Sequence, residues 1–230
     1  MDQEKVTSQL SLISSHHEVD NVRTFIFESN GSEWLAGQSQ AYILPQADGT
    51  EEEKEHWFTI SSAPSEGTIN ISTRISSSPF KKSLNTLKTG DEIRAHSLGG
   101  KFTWEESDGE PVILVAAGIG VTPFRSILTE RNAIGKPLNT TLLYFNRTGD
   151  IPFAEELQHL SERHPEFQLK LIVGEPVTSE KIFKLLPDAA KQIHYISGPE
   201  PLVSRIGKEL KEAGVTIKQD RFPGYDASNF

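Results

Sequence analysis

The run Val112-Ile113-Leu114-Val115-Ala116-Ala117-Gly118-Ile119-Gly120-Val121-Thr122-Pro123 decides how the rest of the chain is read. Its first six residues are small or branched and all apolar, which suits a strand buried on both faces of a parallel sheet. Two glycines end the run. Thr122 then stands where a helix N-cap would, Pro123 at the first helical position, and Phe124-Arg125-Ser126-Ile127-Leu128 continue at helical spacing. A strand, a glycine loop and a helix start in that order aim unpaired N–H groups and the positive end of a helix dipole into the loop, a ready seat for a phosphate or pyrophosphate. The pattern is not a full G-x-G-x-x-G, because Thr122-Pro123 takes the place of the last glycine. An ordinary βα turn, with the glycines serving only tight geometry, is the competing reading.

Downstream of this run the chain alternates strand and helix. Strands are expected at Thr140 to Phe145, Gln168 to Val173, Ile193 to Ser197 and Thr216 to Gln219, with helices at Pro123 to Asn132, Phe153 to Glu162, Ser179 to Leu186 and Pro201 to Ala213. This rhythm predicts a parallel, Rossmann-like sheet with helices on both faces, whose ligands lie at the carboxyl ends of the strands. Three strand ends there carry polar residues: Gly118 to Thr122, Asn146-Arg147-Thr148 and Ser197-Gly198-Pro199.

Upstream, from Val6 to about Trp104, the texture is that of an antiparallel Greek-key β-barrel: short strands, one brief helix from Phe80 to Leu87, and turns marked by Asn30-Gly31, Gly37 and Pro45. The acidic stretch Asp48 to Glu55 reads as a solvated loop. In His56-Trp57-Phe58-Thr59-Ile60-Ser61-Ser62, alternation puts Trp57, Thr59 and Ser61 on one face and His56, Phe58 and Ile60 on the other. Those hydroxyls serve either a ligand or the sheet itself. Ser78-Pro79-Phe80-Lys81-Lys82-Ser83 is a second helix start of the Thr122-Pro123 kind, with two lysines beside it, and makes a second candidate anion site; simple capping explains it equally.

Composition narrows the chemistry. In 230 residues there are 32 acidic against 23 basic side chains, a formal net charge of −9, and no basic cluster, which argues against a nucleic-acid partner. The absence of cysteine excludes disulfides, thiolate metal sites, cysteine nucleophiles and an iron–sulfur cluster of the usual ligation, so redox chemistry here needs an organic cofactor. His16 and His17 read as surface residues, and no metal site is expected. Neither a signal peptide nor a membrane span is legible, and the expectation is a soluble, cytoplasmic protein.

Taken together and in order, Phe58 to Pro64, Gly90-Asp91, Gly99-Gly100-Lys101-Phe102, Gly118 to Pro123, Leu142-Leu143-Tyr144, Ser197-Gly198-Pro199 and Phe222-Pro223-Gly224-Tyr225 resemble the ferredoxin–NADP reductase superfamily over nearly the whole chain. The resemblance implies a flavin barrel in residues 1–109 that binds FAD and an α/β domain in residues 110–230 that binds NAD(P)H. It further implies that Phe58 packs near the isoalloxazine and that Thr59 hydrogen-bonds its redox-active nitrogen. His56 stands in place of the family's arginine, so the flavin phosphate would fall to Ser78, Phe80, Lys81, Lys82 and Ser83 with Arg74 as an added cation. Trp57, Ile60, Ser61 and Ser62 complete the flavin strand. Gly118, Ile119, Gly120 and Thr122 would hold the nicotinamide nucleotide and Arg147 its adenosine side, while Ser197-Gly198-Pro199 resembles the family's Cys-Gly-Pro with serine for cysteine. Phe222 or Tyr225 would either cover the flavin and move aside for nicotinamide or merely anchor the last strand; on the first reading Thr59 and Phe222 are the residues expected to touch the chemistry.

The implied activity is hydride transfer from NAD(P)H to FAD and onward delivery of electrons to a separate acceptor: a ferredoxin-like protein, an oxygenase component, a cytochrome or a small oxidant. The alternative is a non-catalytic flavin-binding regulatory or assembly subunit on the same fold, kept open by His56 and Ser197.

Overall fold

The computed structural model describes residues 8–19, 21–44, 55–76, 78–104 and 110–222. Two sheets organise them. The first contains β1 (Ser8–Val19), β2 (Val22–Glu28), β3 (Ser39–Ile43), β4 (His56–Thr59), β5 (Thr68–Arg74) and β6 (Glu92–Gly99), with helix α1 (Pro79–Thr86) between β5 and β6. Its strand order is β4-β3-β6-β1-β2-β5 and every pairing is antiparallel. The two edge strands meet just past β4, where Ile60 bridges Ile71 and Ser61 N–H donates to Asn70 O at 2.9 Å. That bridge brings the two edges together and closes the sheet into the expected barrel. Phe25, Phe27, Tyr42, Ile60, Ile69, Ile71 and Ile93 fill its interior.

Strand β1 runs six residues past the expected end at Ile13, since β2 pairs with it as far as Val19 opposite Val22. His16 and His17 lie exposed on that extension, and His16 Nε2 is 2.7 Å from Glu18 Oε1.

The second sheet is wholly parallel, in the order β11-β10-β7-β8-β9. It comprises β7 (Val112–Ala117), β8 (Thr140–Asn146), β9 (Phe167–Val173), β10 (Ile193–Pro199) and β11 (Ile217–Phe222), joined by α2 (Thr122–Ala133), α3 (Ala154–Arg163), α4 (Ser179–Leu185) and α5 (Glu200–Glu212). The central strand β7 is buried at every residue, and its two sets of side chains go to two different cores. Val112, Leu114 and Ala116 meet Phe124, Leu128 and Leu157 of α2 and α3. Ile113, Val115 and Ala117 meet Ile182, Val203 and Ile206 of α4 and α5. An all-apolar strand is what two covered faces require. The strand order reverses between β7 and β10, and a crevice at the carboxyl ends follows at that point. The expected domain boundary at 109/110 adjoins residues 105–109, which lie outside the described residues, as do Tyr225 and the acidic loop up to residue 54.

Within the parallel sheet His194 is fully buried, with Nδ1 3.0 Å from Gln192 O and Nε2 without a partner. Burial holds its pKa below the ordinary 6.5. The unfolded chain therefore takes up the proton first as pH falls, and stability present above 6.5 declines below it. Between pH 8 and 5.5 the urea midpoint of the natural chain is expected to fall relative to that of His194→Leu.

Candidate functional site

The crevice is a cleft between barrel and parallel sheet. Ser39, Trp57, Phe58, Thr59 and Ser72 line it from the barrel, and Ile119, Thr122, Asp220, Arg221 and Phe222 from the α/β side. Thr59 ends β4, and its Oγ1 donates across the cleft to Asp220 Oδ2 at 3.5 Å. Trp57, two residues back on the same face, is 45% exposed at the cleft mouth. Phe58 comes in from the other side of the strand and stacks on Phe80 with ring centroids 5.5 Å apart, while His56 packs on the same Phe80 ring at 4.1 Å. Phe80 sits in the first turn of α1, so the aromatic strand and that helix start form one surface.

Register places the remaining wall. Strands β10 and β11 run parallel with Ser197 opposite Asp220 and Pro199 opposite Phe222. Asp220 is thereby set between the barrel's Thr59 and the Ser197-Gly198-Pro199 strand end. Burial raises its carboxyl from 3.8 to about 6, a rise partly offset by the hydroxyls of Thr59 and Ser197. Ser197 Oγ is itself buried and, although turned toward that carboxylate, makes no hydrogen bond of ordinary geometry.

The glycine segment differs from expectation in one respect. Gly118–Val121 forms a single buried 3-10 turn, and Val121 is the residue that precedes α2. Thr122 is thus the first residue of the helix and not its cap; its Oγ1 donates back to Ile119 O at 3.1 Å. The physical reason is that the tight turn leaves Val121 in helical geometry, so the helix begins without a side-chain cap. Gly118 has φ +53°, and a Cβ on Gly120 would stand 2.4 Å from Ser197 O and 2.6 Å from Gly198 Cα. The second glycine therefore exists for close approach of two strand ends. Ser78, in contrast, does cap α1, accepting from Lys81 N–H at 3.2 Å.

Other candidate residues fall away from the cleft lining. Ser61 and Ser62 are buried and employed by the barrel: Ser61 Oγ lies 3.1 Å from Asn70 O and 2.7 Å from Ser72 Oγ, and Ser62 Oγ donates to Thr68 O at 2.6 Å. Ile60 is core. Arg74 bridges the two sheets, donating to Asn21 Oδ1 at 2.8 Å and Asn146 Oδ1 at 3.4 Å. Lys82 is exposed and Lys81 and Ser83 half-buried on α1; Arg147 is exposed just past the end of β8. Ser39, Ser72, Asp220 and Arg221 are the cleft residues that sequence reading missed. An acidic residue two before the Phe222-Pro223-Gly224-Tyr225 segment was the one available signal, hidden because the last strand was expected to stop at Gln219.

A barrel of this closure packed against a parallel sheet of this order is the fold of solved ferredoxin–NADP reductases, in keeping with the resemblance read from the sequence. Residues 114–206 match the family of oxidoreductase NAD-binding domains. Among solved structures, the FAD/NAD-binding domain of nitric oxide dioxygenase from Vibrio cholerae superposes with a TM-score of 0.80 at 20% identity, covering 93% of this chain and 98% of that one. A ferredoxin–NADP reductase from Neisseria gonorrhoeae, solved with bound FAD and NADP, gives 0.80 at 16% identity, with 95% and 99% covered. Among curated proteins, the flavohemoprotein of Pseudomonas aeruginosa is 24% identical over 217 residues, 88% of this chain and 54% of that protein. The plasma-membrane-associated coenzyme Q6 reductase of Saccharomyces cerevisiae is 28% identical over 153 residues, 61% and 49%. The chain thus spans about half the length of the curated relatives it matches. Among the described residues, no helix is long and apolar enough to cross a membrane.

Proposed function

We propose that this chain is a flavin-dependent oxidoreductase that accepts hydride from NADH or NADPH on FAD and hands electrons to a separate acceptor. The observation that carries the proposal is the cleft itself. It joins an aromatic and hydroxyl-bearing barrel strand, Ile119 and Thr122 from the switch-point turn and helix start, and Asp220 with Phe222, all within one lining. The proposal takes residues 1–109 as the flavin domain and 110–230 as the nucleotide domain, and a cytoplasmic location goes with it.

The residues present fit a flavin. Trp57, Phe58 and Phe222 line the cleft and offer planar apolar surface for a ring, with the Thr59 hydroxyl and the Asp220 carboxyl as polar groups beside it. Trp57, Phe58, Thr59 and Ser197 would hold the ring end, and the capped start of α1 near Ser78 with Lys81 and Lys82 the phosphates. When bound, the flavin supplies a site that accepts hydride and can release electrons singly or in pairs. The protein's own part is alignment and proton control. Gly118 to Thr122 hold a dinucleotide at the switch point, and Phe222 excludes water. Asp220, its carboxyl raised to about 6, accepts from Thr59 Oγ1 through Oδ2 and so fixes the direction of that hydroxyl; as pH falls through 6 it takes up a proton that it can give to the site. Arg147, past the end of β8, faces the adenosine side. The acceptor belongs to the proposal only by class: a ferredoxin-like protein, an oxygenase component, a cytochrome or a small oxidant. Relatives that are flavohemoproteins and a coenzyme Q6 reductase are in keeping with that range.

The test is colour and its loss. Purified protein is expected to take up FAD with one-to-one stoichiometry and to bleach, without oxygen, on addition of NADH or NADPH. Protein that stays yellow with both nucleotides sinks the oxidoreductase reading and leaves the flavin-binding subunit. Protein that takes up no FAD sinks both.

A further inference from the structure

The geometry points to Arg125 as a positioning residue that locks the nucleotide turn to the flavin strand, an inference that rests on the function proposed above. Arg125 lies one helical turn after Thr122, which lines the cleft from the α/β side. Its side chain is only 12% exposed and reaches from α2 across to the barrel. Nη1 donates to Ser61 O at 3.1 Å, two residues after Thr59, which lines the cleft from the barrel. Nη1 and Nη2 also grip Glu66 as a fork, at 2.5 Å to Oε2 and 2.8 Å to Oε1. On the other side Nε donates to Glu156 of α3 at 3.1 Å.

Neighbouring contacts repeat the same connection. Ser126 Oγ donates to Ser62 O at 2.6 Å, and Glu130 Oε2 accepts from Ser65 N–H at 2.8 Å. Glu66 Oε2, besides holding Arg125, accepts from Ala63 N–H at 2.6 Å. One face of α2 therefore fixes the backbone that continues β4, directly behind both walls of the cleft. A lysine offers one point charge in place of the planar fork and cannot reproduce the bidentate grip together with the carbonyl contact. Hydride transfer demands donor and acceptor within about 3–3.5 Å, so a small slip between the two walls lowers the transfer rate before it lowers binding. The clamp thus sets the distance and not the affinity.

Arg125→Gln, Arg125→Lys and Glu66→Gln test this with two readouts. In the FAD-loaded proteins, anaerobic single-turnover mixing with the preferred nucleotide is expected to show a transfer rate lowered at least tenfold in Arg125→Gln and partly restored in Arg125→Lys. FAD content and nucleotide Kd should stay within about twofold to threefold. In the unloaded proteins, hydrogen exchange at the Ala63 and Ser65 amides is expected to speed up tenfold or more, with the β2–β5 ladder unchanged. Transfer at the natural rate in Arg125→Gln, or unaltered protection at Ala63 and Ser65, overturns the proposal. If Arg125→Gln fails to fold, Glu66→Gln carries both readouts, since it breaks the fork while leaving the Glu156 contact. If the natural chain itself is not bleached by either nucleotide, the functional reading fails, and the exchange measurement on unloaded protein still decides whether the clamp exists.

Discussion

Alanine at Gly120 is expected to cost about 2 kcal/mol of folding stability and to weaken nicotinamide-nucleotide binding at least tenfold. The added Cβ would meet backbone on the facing strand end, Ser197 O at 2.4 Å and Gly198 Cα at 2.6 Å. Neither can rotate aside as a side-chain tip would. Relief has to come from separating the turn after β7 from the end of β10, which widens the switch point where the dinucleotide is proposed to sit. Gly149→Ala is the control, because a Cβ there meets nothing within 4 Å. Chemical denaturation of both variants, with nucleotide titration of the FAD-loaded proteins, checks the expectation; a Gly120→Ala protein as stable and as tight-binding as the control contradicts it.

Asp220→Asn is expected to make the protein more stable and less active. The carboxyl is raised from 3.8 to about 6 chiefly by burial, which corresponds to at most about 3 kcal/mol lost when it ionises in the fold. Its folded pKa exceeds its unfolded one, so the folded state binds the proton first as pH falls, and stability rises between pH 6 and 4. This is the reverse of the His194 trend. The asparagine should therefore stabilise most at pH 8 and give no advantage below pH 4, as read from unfolding midpoints. Its amide oxygen can still accept from Thr59, but it cannot carry a proton. Flavin reduction or reoxidation is then expected to slow by roughly tenfold to a hundredfold, and the pH dependence near 6 to flatten. A variant equal in rate and in pH profile to the natural protein would remove Asp220 from the mechanism.

Why the fold could be read so far ahead is clear from β7. An apolar run with no alternation, two glycines and Pro123 carry local signals of burial, turn and helix start, and the strand–helix rhythm downstream fixes a parallel sheet. The barrel was legible for the same reason, through period-two strands and turn residues. What stayed hidden is contact between distant residues. Nothing in Ser61-Ser62 says that their hydroxyls turn inward to Asn70, Ser72 and Thr68, and nothing in Arg125 says that it crosses to Glu66. Thr122 looked like a cap because Thr-Pro is a common helix entry; the extra 3-10 turn displaced it by one position. Asp220 became visible only through the register of β11 on β10, which a sequence without its pairing partner does not print.

The central claim is that this cleft aligns a nicotinamide and a flavin for direct hydride transfer. The most direct test is anaerobic rapid mixing of the FAD-loaded protein with NADH or NADPH carrying deuterium at the transferring position. The account predicts bleaching of the yellow flavin within the first turnover, slowed severalfold by deuterium for at least one of the two nucleotides. A FAD-loaded protein that neither nucleotide bleaches contradicts it.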